Sequence, residues 1–241
     1  MITRNNFYQT AQTGFETKAL AKNFVANVFS WMGIALAITA FTAYYFASSP
    51  ALINSLFNPE TGMTILGWVV MLSPLGFVLA MSAGYQRFSV STLTILFGLF
   101  SILMGMSLSF ILLVYTSASI FKTFAVTAGM FGIMAFVGYT TKTDLTKFGS
   151  LMMMGLIGII IASLINMFLR SEAFDYIISF IGVLVFTGLT AYDVQTLKKI
   201  GSGVEYGAES TKKLTILGAL RLYLDFINLF LFLLRFLGNR R

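Results

Sequence analysis

The fold is decided by a stretch near the carboxyl end of the chain, Gly218–Arg235, which reads GALRLYLDFINLFLFLLR. Its aliphatic and aromatic residues would span a membrane as one helix, yet polar residues interrupt them at intervals of four, three and seven positions. This spacing puts the polar residues on one stripe of the helix: Arg221, Asp225, Asn228 and Arg235. An ionisable side chain in hydrocarbon is unfavourable by roughly 2.5–3.5 kcal/mol, so such a stripe normally faces the interior of a helix bundle.

The composition around this stretch is that of an integral membrane protein. Of the 241 residues, 57% are hydrophobic and 10% are charged, and the mean hydropathy is +0.85. The uncharged segments exceed the ~20 residues that a helix needs to cross the hydrocarbon core, and they lack the polar alternation of an outer-membrane barrel. The sequence therefore predicts an all-α, polytopic bundle of transmembrane helices in a lipid bilayer.

Two residue types are missing, and their absence limits the chemistry. The sequence contains no cysteine and no histidine, which removes thiolate metal sites, the commonest metal ligand and the commonest general base. The net charge of +7 comes from basic residues spread over short loops, which indicates membrane topology and not a nucleic-acid surface. We therefore predict that the protein is not an enzyme, has no cofactor and binds no nucleic acid.

Hydropathy and turn residues divide the chain into seven predicted spans. A polar cytoplasmic tail at residues 1–22 precedes a transmembrane domain at residues 23–238, and a short basic tail follows at residues 239–241. The spans are predicted at residues 23–47, 63–82, 90–115, 121–141, 148–169, 174–196 and 214–237. A loop is expected at residues 116–119, and Pro74 is expected to kink the second span.

The distribution of lysine and arginine predicts the orientation of these spans. With the amino terminus in the cytoplasm, ten basic residues lie inside and five lie outside. Because cytoplasmic loops carry the excess of basic residues, this bias favours an amino terminus inside and a carboxyl terminus outside. The basic carboxyl tail argues in the other direction, since six or eight crossings would return it to the cytoplasm.

Two aspartates on the last two spans form the candidate site. Asp193 lies five residues before Lys198 of the basic loop, about 7–8 Å inside that loop at the rise of a helix. If Arg221 reaches toward the cytoplasmic interface, Asp225 lies one turn deeper, at a similar level. Arg87 lies at the same membrane face as a third member. In the alternative interpretation Asp193 faces water, while Arg221 and Asp225 form a local pair.

Close approach of the two carboxylates would create a proton-dependent contact. Burial and like charge disfavour ionisation of both, so one should hold a proton that joins the two helices. Loss of that proton leaves two anions that repel each other or attract Arg87, Arg221 or a cation. Oxygen ligands suit calcium better than zinc, and two carboxylates suit passage better than storage. Asp193 and Asp225 are therefore the predicted gate and transient calcium ligands, with Asn228 as a helix-contact residue.

Two motifs in the last two spans resemble those of a known family. They are FTGLTAYDVQ at residues 186–195 and LYLDFINLF at residues 222–230, followed by Leu233, Leu234, Arg235 and Gly238. Supporting matches are GMSLS at residues 105–109 with YT at 115–116, and KTDL at 142–145. Together these motifs resemble the Bax inhibitor-1 family in its bacterial branch, and the resemblance covers residues 20–238.

The resemblance implies a seven-helix bundle with a central seventh helix, located in the bacterial inner membrane. It also implies a pH-dependent calcium leak that an aspartate pair governs, with calcium and protons as the partners of the site. On this chain the pair corresponds to Asp193 and Asp225. Arg87 resembles the basic partner that engages an aspartate when the contact between the two aspartates changes state. Arg221 and Arg235 are expected to anchor the two ends of the last helix at the interfaces.

Two other functions are alternatives to a cation leak. One is a membrane interaction protein, with another membrane protein as partner, that regulates a protease or a stress response without transport. The other is an intramembrane aspartyl protease, which two aspartates on successive helices resemble. In those enzymes the second aspartate follows a Gly-x-Gly pattern, whereas Asp225 follows Leu-Tyr-Leu. The leading prediction is a pH-dependent leak for cations, with calcium as the ion.

Overall fold

The computed structural model describes the backbone of residues 4–205 and 207–240 and the side chains of residues 17–205 and 207–240. Its helices are α1 (Arg4–Ala47), α2 (Pro50–Leu56), α3 (Ile65–Gly84), α4 (Val90–Val114), α5 (Ser117–Thr140), α6 (Thr146–Leu169), α7 (Glu172–Ser202) and α8 (Glu209–Leu237). Within the described part of the chain, seven helices are long and apolar enough to cross a membrane. They coincide with the seven predicted spans, so the prediction of an all-α, polytopic membrane fold is confirmed.

The structure describes only part of the two predicted tails. Residues 1–3 and 241 lie outside the described residues, as do the side chains of residues 4–16. The helix α1 begins at Arg4, and its apolar, span-forming part begins at Thr17. The stretch predicted as a polar tail is therefore continuous with the first transmembrane helix from Arg4 onward.

Several boundaries differ from the predicted ones because polar residues begin the helices. The predicted loop at residues 116–119 is wrong, since α5 already begins at Ser117. Thr116 caps this helix by accepting a hydrogen bond from the Ser119 N–H at 3.3 Å. The helix α3 runs through Pro74, which lies inside it. The last two helices also extend beyond the predicted spans, into the loop that joins them.

A small structure between α1 and α3 was not expected. It consists of α2 and an antiparallel hairpin of β1 (Phe57–Asn58) and β2 (Gly62–Met63). Pro50 occupies the first turn of α2, where its missing N–H leaves no helix bond unmade. Gly62 has a φ of +84°, a left-handed conformation that favours glycine, and it allows the tight return of the hairpin.

The helix α8 lies at the centre of the bundle, as predicted for the seventh span. It packs against α1, α3, α4, α5 and α7. Tyr223 of α8 is fully buried and donates a hydrogen bond to the Thr39 hydroxyl at 2.7 Å, because that hydroxyl itself donates to the Ser101 carbonyl at 2.9 Å. This chain of hydrogen bonds joins α8 to α1 and α4 on the side of α8 that faces away from Asp225.

Glycines bring neighbouring helices into backbone contact at two points. A Cβ on Gly138 of α5 would lie 2.8 Å from the Cα and the carbonyl carbon of Ala191 on α7. A Cβ on Gly105 of α4 would lie 2.6 Å from the carbonyl oxygen of Thr39 on α1. Only a residue without a side chain fits at such distances, so these glycines fix how closely the helices pack.

The helix α6 lies at the edge of the bundle. Among the described residues it packs extensively only against α7. The turn between α5 and α6 is fastened to α7 by the Gln195 amide, which accepts from the Leu145 N–H at 2.9 Å and donates to the Thr143 carbonyl at 2.7 Å. An exposed ion pair between Lys199 and Asp144, at 2.7 Å, lies beside this contact. One end of α6 is thus tied to α7 close to the candidate site.

The bundle has two polar ends. The α2 end carries α2, the hairpin, the α4–α5 and α6–α7 turns and the carboxyl terminus, whereas the opposite end carries the α3–α4 and α5–α6 turns and the α7–α8 loop. At the α2 end, the Thr116 N–H donates to the Asn239 carbonyl at 3.2 Å, and the Asn239 N–H donates to the Ser119 hydroxyl at 2.9 Å. The described part of the basic tail is therefore packed against the start of α5.

Candidate functional site

Asp193 and Asp225 meet in the interior of the bundle. Asp193 lies on α7 and is 6% exposed, and Asp225 lies on α8 and is 5% exposed. Their carboxyl groups are within hydrogen-bonding reach of each other. The interpretation in which Asp193 faces the water outside the bundle does not fit this burial. The structure therefore brings the two aspartates together at one level, as the spacing from the basic loop predicts.

One oxygen of the pair has no protein donor. Asp225 Oδ2 is fully buried, and no described residue donates a hydrogen bond to it. Two carboxylates cannot bond to each other, because each one only accepts hydrogen bonds until one of them is protonated. A buried acceptor without a donor is unfavourable by about 1–3 kcal/mol. The arrangement is therefore suited to a proton held between the two aspartates.

The basic partner of the pair is Arg221. Its Nη1 lies 3.4 Å from Asp193 Oδ1, a long contact, and its side chain is 53% exposed. Arg221 contacts the aspartate on the neighbouring helix and forms no ion pair with Asp225, so the alternative of a local pair on α8 is not found. Arg87 lies in the exposed turn after α3, and its guanidinium forms no ion pair with any described acid.

The pair borders a cavity of about 800 Å³ between α6, α7 and α8. Most of its wall is apolar, with the largest share from α6, and apart from Ser163 of α6 its polar groups come from α7 and α8. The charged or titratable residues that line it are Tyr192, Asp193, Arg221 and Asp225. Asn228 also lines the cavity, and its Nδ2 donates to the Leu224 carbonyl of its own helix at 2.8 Å. The Asn228 amide nitrogen is thus bonded within α8, and the role of Asn228 as a helix-contact residue stays a prediction.

A second ion pair lies at the end of the polar stripe of α8, at the α2 end of the bundle. Arg235 Nη1 lies 3.1 Å from Asp175 Oδ1, which joins the end of α8 to the first turn of α7. From the sequence, Arg235 is expected to be an interfacial anchor, and Asp175 has no predicted role. An acid in the first turn of one helix and a base in the last turn of the next, antiparallel helix is the signal that would have suggested this contact.

The described residues offer no ready site for a tightly bound metal ion. They contain no group of three or more acidic side chains that could hold one. Calcium takes six to eight oxygen ligands, so most ligands of an ion at Asp193 and Asp225 would have to be water. The pair is therefore suited to brief contact with a hydrated cation.

Comparison with known proteins places the chain in a family. Residues 21–241 match the family model described as "Inhibitor of apoptosis-promoting Bax1". The chain is 48% identical to the inner membrane protein YbhL of Escherichia coli (strain K12) over 227 residues, 94% of this chain and 95% of that protein. It is 47% identical to an uncharacterized protein of Borreliella burgdorferi over 223 residues, 92% and 94% of the two chains.

A more distant relative extends the comparison. An uncharacterized membrane protein of Streptococcus pyogenes serotype M6 is 35% identical over 218 residues, which are 90% of this chain and 92% of that protein. The names of the Escherichia coli and Streptococcus pyogenes relatives describe membrane proteins, which agrees with the seven apolar helices of the fold. Because the family model and the relatives cover nearly the whole chain, the protein is a membrane protein that belongs to the Bax inhibitor-1 family.

Proposed function

We propose that the protein is a pH-dependent cation leak, with calcium as the principal ion, gated by Asp193 and Asp225. The observation that supports it is the buried contact between these two carboxyl groups, in which Asp225 Oδ2 has no donor from the protein. A proton on one aspartate supplies that donor. The hydrogen bond then holds α7 and α8 together at the level of the cavity, which is the closed state.

Loss of the proton opens the contact between the two aspartates. Two anions in contact repel strongly in a medium from which water is largely excluded. Arg221, which already lies 3.4 Å from Asp193, can neutralise only one of them. The remaining charge favours separation of the helices, entry of water and attraction of a cation. Flux should therefore rise with pH, and lower pH should close the leak.

The charges at the two ends of the bundle support one orientation in the membrane. The basic residues of the α3–α4 and α5–α6 turns and of the α7–α8 loop share the end opposite to α2, together with those near the start of α1. We propose that this end faces the cytoplasm of a bacterial cell and that the protein resides in the inner membrane. The α2 end then faces outward, and calcium enters down its gradient from that side.

The proposal is tested by calcium flux into liposomes that contain the purified protein. Wild-type flux should increase through a single-proton transition, which runs from about 10% to 90% over about two pH units. In Asp225→Asn and in Asp193→Asn the amide supplies a permanent donor to the remaining carboxylate, so flux should stay low and lose its pH dependence. The control is Asp144→Asn, which changes an exposed acid in the α5–α6 turn and should keep the wild-type profile.

Two results would overturn this proposal. The first is the absence of pH-dependent flux in the wild-type protein under a calcium gradient, which would leave the non-transport role as the better hypothesis. The second is an unchanged pH profile in both aspartate variants while their circular dichroism shows a folded bundle, which would separate transport from the pair.

A further inference from the structure

We propose that the outer half of the ion path is the groove between α6 and α8, and that the Asp175–Arg235 ion pair controls the charge at its outer mouth. The effect of this ion pair on calcium flux rests on the proposed function. The presence of water in the groove does not rest on it and is tested separately.

The groove is continuous from the aspartate pair to the α2 end. The 800 Å³ cavity beside Asp225 shares part of its wall with a second cavity of about 380 Å³, which reaches Asp175 and Arg235. The shared wall residues are Ser163, Met167, Asn228 and Phe232. Asp225 and Arg235 are ten residues apart on α8, so this route covers about 15 Å along the helix axis.

A further cavity lies on the other side of Arg221. A third cavity of about 330 Å³ shares Arg221 and Leu224 with the first and extends toward Tyr85 after α3. Three cavities thus follow one another along the bundle, with Arg221 and Leu224 at the boundary of the inner one and the aspartate pair in the wall of the middle one. Arg221 is half exposed, which agrees with water reaching it from the end opposite to α2.

Polar side chains line the outer route at the depth where lipid chains would otherwise be expected. Ser163 and Asn166 lie on α6, and Asn228 lies on α8. The Asn228 amide nitrogen is used by its own helix, which leaves Oδ1 as an acceptor without a donor among the described residues. Hydrocarbon cannot satisfy such groups, whereas water can. Since α6 packs extensively only on α7, nothing that the structure describes fills the space between α6 and α8.

The outer mouth of the groove, at the α2 end, carries one negative and one positive charge that compensate each other. The Asp175 and Arg235 side chains are 32% and 43% exposed, so both charges are felt by an ion at the mouth. Alone, Arg235 would repel a cation and Asp175 would attract one. At about 7 Å from a divalent ion in 0.1 M salt, one uncompensated charge changes the local ion concentration roughly threefold.

The first experiment tests whether water enters the groove. Because the sequence contains no cysteine, a single introduced thiol is the only one that can react. Ser163→Cys places a thiol in the groove, and Ile161→Cys places one on the opposite, exposed face of the same helix. A membrane-impermeant, cationic thiol reagent is added to the side that the α2 end faces. We expect the Ser163→Cys thiol to react at least tenfold faster than the Ile161→Cys thiol. Equal rates would overturn the wet groove and indicate that lipid fills it.

The mouth is tested by removing one charge at a time. Arg235→Gln leaves Asp175 uncompensated and should raise calcium flux roughly threefold, while Asp175→Asn leaves Arg235 uncompensated and should lower it by a similar factor. An ion pair with only a structural role would shift both variants in the same direction, and that result would overturn the inference. If the wild-type protein carries no flux, the proposed function fails, and the thiol rates alone still decide whether the groove is wet.

Discussion

Replacing Gly138 with alanine tests the contact that sets the position of α7. The new Cβ would lie 2.8 Å from the Cα and the carbonyl carbon of Ala191, whereas carbon atoms in favourable contact lie about 3.5–4.0 Å apart. The atoms to be displaced belong to the backbone, so no change of rotamer relieves the overlap. The helices α5 and α7 must separate by roughly 1 Å. Overpacking of this kind typically lowers the free energy of unfolding by about 1–3 kcal/mol.

The displacement should also reach the candidate site, because Ala191 lies two residues before Asp193. Unfolding is measured in mixed detergent micelles by circular dichroism, and the pH dependence of flux is measured on the same variant. The matched control is Gly132→Ala on the same helix, where a Cβ meets nothing within 4 Å and alanine is the better helix former. Equal unfolding free energies for the Gly138→Ala and Gly132→Ala variants would refute the contact.

Three further predictions concern other parts of the fold. Tyr223→Phe removes the buried donor to Thr39 and should lower the free energy of unfolding by about 0.5–1.5 kcal/mol in the same micelle assay. Lys199 holds the pKa of Asp144 at about 2 by a direct hydrogen bond, so Lys199→Gln should return that pKa toward 3.8 in an NMR titration of the carboxyl group. A lowered pKa adds stability that is present above the ordinary value and lost as the pH falls through about 2, but this exposed pair should leave the unfolding midpoint at pH 7 nearly unchanged. Gly149→Ala would place a Cβ against the ring of the tyrosine that faces it on α7, and it should lower the free energy of unfolding by about 1–3 kcal/mol.

The number and order of the spans could be predicted because hydrocarbon imposes a minimum length on a helix that crosses it. The first and last residues of the helices could not be predicted, because a polar residue can both end an apolar run and cap the next helix. Thr116 shows this, since it lies in the predicted loop and caps α5. The hairpin before α3 was not predicted because its strands are only two residues long and show no alternation of polar and apolar residues.

The meeting of Asp193 and Asp225 could be predicted from depth, since one rise per residue relates both positions to the same basic loop. The sequence left open which of Arg87 and Arg221 contacts the pair, because the contact depends on which way each helix is rotated. Arg221 contacts Asp193 across the seam of α7 and α8, while Arg87 lies in the exposed turn between α3 and α4. The Asp175–Arg235 pair was missed for a related reason: its members are 60 residues apart, and only the antiparallel packing of two helices joins them.

The Gln195 amide couples the aspartate pair mechanically to the aqueous surface. Gln195 lies two residues beyond Asp193 on α7, and it holds both the Thr143 carbonyl and the Leu145 N–H of the α5–α6 turn. If α7 rotates or shifts when the pair loses its proton, this turn must follow, or two hydrogen bonds must break. A spin label at Asp144 would then report the state of a buried proton from outside the membrane, without any ion being transported. The same movement would be visible to a protein bound at that surface.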